Sequence, residues 1–575
     1  MNNSSHSFWV SPIFLSLSLF LAVLLFFGLM YPHHLHFQEQ YQLFLFDWHY
    51  ALEVLSIPGG LADLLGRFFT QFFLLAWVGA TILAFLITTI FLLTYKITPK
   101  GWLASLSLLP SIALWAFMCD ENGLLGGVIA VLFALVFAAF IPSIKHQPTS
   151  LASMVISAPI LYWAIGPVAI ITPLIWLLSS LRSHSPHGIK ASLFSMAIIS
   201  IMPILAQHMV ALPLERLFSS PHYYRNISTF PQLLWFSVAI IAILPILPKL
   251  SPNSWLPIST PILTIFVGGL TIHTSYNAAS EEVMSYDFMC RFQQWNRIVN
   301  RANTKKPKNA LSCTALNLAL GMRGELADRL FEYNQNGTAG LIPDFNRDPI
   351  SPLTTSEVYL HLGMVNTVQR LVFEAQESIQ DCQKSARCYK RLAETNLLSG
   401  NYAVAEKYLS ALTKTIFYRD FAHNTLSLLY NEEAITNHNT YGHLRSIMPK
   451  ADCMFQQGNL SELLAQQLSA NSSNRLAYEY LQCANLLMRD LNSFVSSLDL
   501  GKDISYQRMP FMFQQAYILW FSQNHNPNDK IPDFINPQFI TGLNQFFNMA
   551  RQKNINRAML NASFGNTYWN YYIAQ

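Results

Sequence analysis

Charge is what this sequence most lacks. Only 12% of its 575 residues are Asp, Glu, Lys or Arg, about half the share usual in soluble globular domains, which excludes a single soluble domain. The shortage is uneven: residues 1–275 hold 16 charged side chains and residues 276–575 hold 52. Basic runs are missing too. The net charge of +4 is gathered nowhere, so nothing calls for nucleic acid as a partner. The seven cysteines form no CxxC pair and no Cys/His cluster of zinc spacing, which argues against a structural metal site. The closest two, Cys382 and Cys388, would point about 120° apart on one continuous helix, so a disulfide between them requires a helix break.

What the first half does have is apolar length. Uncharged runs at 8–31, 71–95, 102–118, 124–143, 151–165, 167–182, 191–212, 233–248 and 257–275 predict about nine membrane spans. The first lacks a basic leader and a small-residue cleavage site and reads as a retained span. Gly166-Pro167 interrupts a longer apolar stretch, either as a kink in one tilted helix or as the turn of a hairpin. With a hairpin there and the N-terminus inside, the inner loops hold Lys96, Lys100, Lys145, Arg182, Lys190 and Lys249 and no acid. The outer loops then hold Arg67, Arg216 and Arg225 with all seven acids, Glu39, Asp47, Glu53, Asp63, Asp120, Glu121 and Glu215. That bias predicts a cytoplasmic N-terminus and places everything after Ser275 outside. In a bacterial inner membrane the outside is the periplasm, where Cys382 and its neighbours meet an oxidising medium. The absence of ionisable groups within the spans argues against an ion-coupled transporter, and His208 and His273 read as histidines at span ends.

From Tyr276 onward the text is helix-like. Ala386, Tyr389, Ala393 and Leu397 form one stripe; after Ser399-Gly400-Asn401 a second uses Tyr402, Ala405, Leu409, Leu412 and Ile416. Spacings of three and four on both sides of a glycine describe an antiparallel helix pair. Similar turns recur at Gly324-Glu325-Leu326, Gly458-Asn459-Leu460 and, without glycine, Arg489-Asp490-Leu491. A glycine before a second amphipathic helix, with Tyr or Leu two residues on, resembles tetratricopeptide (TPR) repeats, most closely at Gly400-Asn401-Tyr402 with Ala405 and Tyr408. The irregular intervals make the array degenerate. The resemblance implies a solenoid whose concave face takes a peptide or protein, the alternative being a helical domain that only packs on its own membrane half. The fold class is therefore all-α: a transmembrane bundle at 1–275 with an interfacial loop at 32–71, then a periplasmic TPR-like solenoid at 276–575.

The outer loops carry the candidate chemistry. Loop 32–71 sets Glu39, Asp47, His49 and Glu53 among Phe37, Tyr41, Phe44, Phe46, Trp48 and Tyr50, with Pro58-Gly59-Gly60 between two amphipathic pieces. Asp120-Glu121 follows the third span, and Arg216, His222, Tyr223, Tyr224 and Arg225 precede the eighth. This layout resembles the GT-C class of glycosyltransferases, which use lipid-linked sugars. The resemblance implies Glu39 or Asp47 as base or acceptor-positioning acid, Asp120 and Glu121 as ligands of a divalent metal (Mg or Mn), and Arg216 or Arg225 on the lipid phosphate. Neither the adjacent acid pair usual in the first loop of that class nor a DxD is present, and topology alone also places acids outside.

A second resemblance covers nearly the whole chain. Glu39-Gln40, Pro58-Gly59-Gly60-Leu61, Gln71-Phe72-Phe73, Leu316-Asn317-Leu318-Ala319, Asp328-Arg329-Leu330-Phe331-Glu332-Tyr333 and Ala477-Tyr478-Glu479-Tyr480-Leu481 are similar to an uncharacterised family of bacterial polytopic membrane proteins with a helical C-terminal domain. It implies architecture and no activity. Two functions from different classes stay open. One is GT-C-type transfer from a polyprenyl-linked donor at the outer leaflet; the other is a non-catalytic, membrane-anchored scaffold for envelope proteins. An enzyme requires the outer acids and an arginine to converge on a cavity. A scaffold requires a groove on the solenoid that Tyr568, Trp569, Tyr571 and Tyr572 leave open.

Overall fold

A computed structural model of the chain describes residues 11–98, 102–140, 147–219, 221–226, 228–247, 256–346, 348, 350–380, 383–449, 460–526, 528–552 and 557–573. Regular structure among them is helical, and an isolated β-bridge joins Gly123 to Tyr224. The chain divides into two units. The first is residues 1–281 with the short segments 379–386 and 414–417; the second is 282–378, 387–413 and 418–575.

In the first unit α1 (Pro12–Leu25) starts where Ser11 accepts from the Phe14 N–H and Pro12 fills the first turn. It ends in a wider turn, Phe26–Met30. Three short helices follow, α2 (Pro32–Glu39), α3 (Trp48–Leu55) and α4 (Gly60–Thr70). The remaining apolar text forms α5 (Ala76–Ile97), α6 (Leu108–Met118), α7 (Leu125–Phe140), α8 (Gln147–Ile165), α9 (Ile171–Arg182), α10 (Pro186–Ala206), α11 (Leu214–Ser219), α12 (Gln232–Ile243) and α13 (Leu256–Ser275).

Among the described residues, four helical stretches are long and apolar enough to cross a membrane: Pro12–Met30, Ala76–Ile97, Ala152–Arg182 and Pro186–Ala206. That is fewer than the nine expected. Ser105–Met118, Leu125–Ala139 and Gln232–Ile246 are apolar but shorter among the described residues. The runs either side of Gly166 also form one helical stretch, although not a straight one. Gly166 sits at φ +73°, a left-handed conformation that ends α8 and suits glycine.

This break is held by distant parts of the chain. The Tyr223 hydroxyl donates to the Ile165 carbonyl, and a Cβ on Gly166 would lie 2.5 Å from that hydroxyl. The Gly59 N–H donates to Trp163 O (2.8 Å) and the Trp163 indole to Leu55 O (3.1 Å). Beyond it α9 runs alongside α7 in the same direction: Thr172 bonds Ala134 O and four residues on Trp176 bonds Ala138 O. Away from this end, Thr94 bonds Ser107 O across the turn between α5 and α6 (3.1 Å).

In the second unit, helices meet across several of the expected turns. Ala386–Leu398 and Tyr402–Leu412 flank Gly400 at φ +77°, and Tyr389 meets Tyr408 ring to ring at 5.1 Å. Gly324 (φ +71°) and Arg489 (φ +61°) mark two more of the expected turns, while Gly458 lies outside the described residues. Buried ions tie the pairs: Arg387 grips Asp287 with two bonds (2.6 and 2.9 Å), and Arg391 holds Glu357 (2.6 Å). The C-terminal aromatics fold back into the unit. Tyr568 and Trp569 are buried, Tyr568 and Tyr571 pack on Phe331, and the Trp569 indole donates to Gln515 O. Cys382 lies outside the described residues and Cys388 is buried.

Candidate functional site

Loops 32–71, 119–124 and 207–231 gather at one end of the first unit. Their assembly begins with α2, whose first N–H groups, those of His33 and His34, donate to the Glu281 carboxylate at 2.9 Å each. An anion there suits the positive end of a helix. So fixed, α2 stacks His34 on Tyr31 (4.4 Å) and brings its Nε2 to Met118 O (2.9 Å). Burial pushes the His34 pKa down to about 4, so the ring is neutral at physiological pH. Gln38 donates to Gly123 O (3.2 Å) and Asp120 O (3.4 Å). Glu39, the last residue of α2, is buried.

Asp47 has a different role. Its side chain caps α3 by accepting from the Tyr50 N–H (3.1 Å) and pairs with Lys414 (2.6 Å). The Lys414 hydrogen bond, with the Tyr50 N–H, holds its carboxyl below the usual range. The extended piece before it is stitched to returning chain, Leu43 N–H to Lys384 O (2.9 Å) and Phe46 N–H to Lys414 O (2.8 Å). Phe72 meets Phe417 edge-on.

The turn after α6 supplies the other expected acids. One Asp120 oxygen accepts from the Asn122 N–H (2.9 Å) and the other from the Tyr224 hydroxyl (2.6 Å). Around the Gly123–Tyr224 bridge, Arg225 N–H bonds Asn122 O (2.8 Å) and Leu124 N–H bonds Tyr223 O (3.0 Å). Arg225 is buried over the rings of Tyr41 (4.5 Å) and Phe37 (5.3 Å), and it donates to the Glu121 carbonyl. Burial lowers its pKa against the pull of Tyr41, Glu121 and Asp120. Arg216 donates to Tyr224 O (2.9 Å) and Pro221 O (3.4 Å).

The structure thus brings Asp120, Glu121, Arg216 and Arg225 into one paired-loop assembly, while Asp47 engages Lys414. Among the described residues no group of three or more His, Cys, Asp or Glu side chains converges as a ligand set. Both carboxylate oxygens of Asp120 already accept hydrogen bonds. One buried trio was missed in the sequence. Asp63 pairs with Arg67 (2.7 Å), His222 Nδ1 lies 3.8 Å from the same oxygen, and Arg67 reaches the Tyr50 hydroxyl (3.4 Å). Burial works against the Arg67 charge, but Asp63 and Tyr50 outweigh it and raise its pKa. The signal for the pair was its spacing of four on α4; His222 gave none.

The pattern that defines a family of unknown function, DUF6057, matches residues 7–575. The chain belongs to DUF6057. No curated protein and no solved structure matches it.

Among the described residues of this DUF6057 chain, clefts are also found away from these loops. In the first unit an apolar cleft of about 330 Å³ runs between α1, α6 and α13. In the second unit two clefts flank Pro343-Asp344. One of about 580 Å³ is lined by Thr338, Glu462, Asn485, Asp490 and Ser493 among others; one of about 260 Å³ includes Phe345, Tyr359 and Arg370.

Proposed function

We propose that this is an integral protein of a bacterial inner membrane that crosses nine times. On this reading the N-terminus is cytoplasmic and the helical-repeat region from 276 onward is periplasmic. Four stretches of sufficient length and apolarity support the embedding. The turn at Gly166, bonded at the same end as loops 32–71 and 207–231, favours a hairpin there and hence the odd count. A C-terminal alkaline phosphatase fusion is active on this topology; an inactive fusion overturns it.

Within that frame the protein is a non-catalytic, membrane-anchored scaffold. One observation carries this reading: Asp47, Asp120, Arg216 and Arg225 bond to other parts of the fold, as structural groups do. Partner recognition then falls to the second unit. Its C-terminal aromatics pack inward, so a TPR-like array here would offer the clefts beside Pro343-Asp344 rather than an open concave face. A photo-crosslinking amino acid at Ser493, in the larger cleft, traps one defined envelope protein in cells, and the same label at exposed Lys502 does not. Equal trapping at both positions, or none at Ser493, contradicts it.

The alternative, GT-C-type transfer from a polyprenyl-linked sugar, is favoured by the trio Asp63, Arg67 and His222, which places an acid beside a cation at the outer end. It assigns proton abstraction to Glu39 or Asp47 and phosphate binding to Arg216 or Arg225, with Mg or Mn at Asp120 and Glu121. Loss of an envelope-glycan phenotype at undiminished protein level in Asp63→Asn would favour it.

A further inference from the structure

The smaller cleft of the second unit has a polar wall whose groups the fold leaves unused. That wall is the helix Ser351–Leu362, which turns at Gly363 (φ +87°) into the helix Val365–Ser378. Ser351, Thr355 and Tyr359 recur every four residues and so form one row along the face that lines the cleft. Arg370 and Leu371 line it from the second helix, and residues 343–346 from the loop before the first. Ser351 and Thr355 are each 6% exposed, and among the described residues neither hydroxyl has a hydrogen-bond partner. A serine or threonine deep in a helix ordinarily bonds back to the preceding turn, as Ser356 does to Leu353 O (2.7 Å). These two do not, which leaves both donors to the cleft.

Arg370 adds a cation at the mouth. Glu374 takes its Nε (2.9 Å) and its guanidinium lies over the Phe345 ring (5.8 Å), so among the described residues both Nη groups are without an acceptor. The charge reaches inward: burial raises the pKa of the Tyr359 phenol, and Arg370 works against that rise. Three properties then select a ligand. The forked donors of a guanidinium match the two coplanar oxygens of a carboxylate. Arg370 is the one cation among the described lining residues, with Glu374 bonded to it and Asp344 on the rim, so one negative charge is matched and a dianion such as phosphate is not. At about 30 Å³ for a water-sized group, 260 Å³ holds about nine non-hydrogen atoms, and Phe345, Pro352 and Leu371 offer the rest of such a molecule apolar walls.

We infer that this cleft binds a small monocarboxylate with a compact apolar body. The carboxylate accepts from Arg370 and Thr355, and the body lies against Phe345 and Leu371. The site is separate from the larger cleft beside it and does not depend on that cleft taking an envelope protein.

The test uses the full-length protein in mild detergent and equilibrium dialysis of radiolabelled benzoate, a ligand of that size and charge, with empty micelles as the blank. The expected result is about one saturable site per chain. Benzamide, the uncharged molecule of the same shape, competes about tenfold more weakly or worse, and inorganic phosphate does not compete. Arg370→Gln weakens benzoate binding about tenfold and Thr355→Val about threefold. Lys502→Gln, which removes an exposed cation outside the cleft, binds as wild type does. The half-exposed pair of Arg370 with Glu374 adds little to folding, so Arg370→Gln keeps its unfolding midpoint. The benzamide and phosphate arms use wild type and stand even if a variant fails to fold. No saturable site, equal binding of benzoate and benzamide, competition by phosphate, or wild-type affinity in either folded variant overturns the inference.

Discussion

The Arg225 guanidinium lies 4.5 Å from the ring centroid of Tyr41, buried, with Phe37 on the ring side and the Glu121 carbonyl as acceptor. A desolvated cation over an aromatic ring contributes about 2 kcal/mol. Lysine keeps the charge but loses the flat face and the forked donors. Arg225→Lys therefore costs about 2 kcal/mol, read as a lower unfolding midpoint of the detergent-solubilised protein. Tyr41→Phe, which keeps a ring, costs less. If Arg225→Lys unfolds at the wild-type midpoint, the stacking is not structural.

Asp120 and Tyr224 join the turn after α6 to the loop before α12. A short hydrogen bond to a carboxylate contributes about 1.5–3 kcal/mol. A double-mutant cycle of Asp120→Asn and Tyr224→Phe should give a coupling energy in that range. Additive single effects would mean that the two loops are held by the backbone bonds around Gly123 alone.

Where α4 crosses α7 the backbones touch: a Cβ on Gly66 would meet Gly126 N at 2.7 Å and Gly126 Cα at 2.9 Å. Main chain cannot swing aside as a side chain can. Gly66→Ala is expected to cost about 1–3 kcal/mol through forced separation of the helices. Gly269→Ala, with open space around its Cβ, is expected to be nearly neutral. The comparison is read in paired unfolding midpoints, and similar losses at both sites would contradict it.

His34 gives the loop end of the first unit an acid sensitivity of definite sign. Its pKa is about 4 in the folded protein, against 6.5 when exposed. The folded ring stays neutral while the unfolded one takes up a proton, so stability is complete above pH 6.5 and falls as pH drops toward 4. The loss is on the order of 3 kcal/mol. His361 in the second unit is likewise lowered to about 4 by burial and adds a loss of the same sign. Unfolding followed across that window should flatten for His34→Gln. An unchanged slope in that variant would assign the acid sensitivity elsewhere.

Local pattern carried much of the architecture and little of the site. The charge gradient separated an apolar first half from a helical second one. Gly324, Gly400 and Arg489 mark turns in the structure because a left-handed residue between amphipathic stripes is a local signal. The number of full-length apolar helices was not legible. Apolar composition does not distinguish two separate runs from one helical stretch bent at a glycine, as at Gly166. The pairings of the loop residues were not legible. Asp120 finds Tyr224, and Arg225 finds Tyr41, only after α6, α7 and the intervening helices have folded the chain back, and no periodicity records such pairings. His222 beside Asp63 was hidden for the same reason.

The most direct test of the central proposal, that the charges of loops 32–71, 119–124 and 207–231 hold those loops together and do no chemistry, is to separate folded amount from function. Glu39→Gln, Asp47→Asn and Asp120→Asn would be expressed in a strain whose envelope phenotype depends on this protein, with the folded membrane fraction quantified in the same cells. The account predicts that phenotype follows folded amount for all three, so that rescue per folded molecule equals wild type. A variant present and folded at the wild-type level that gives no rescue would contradict it.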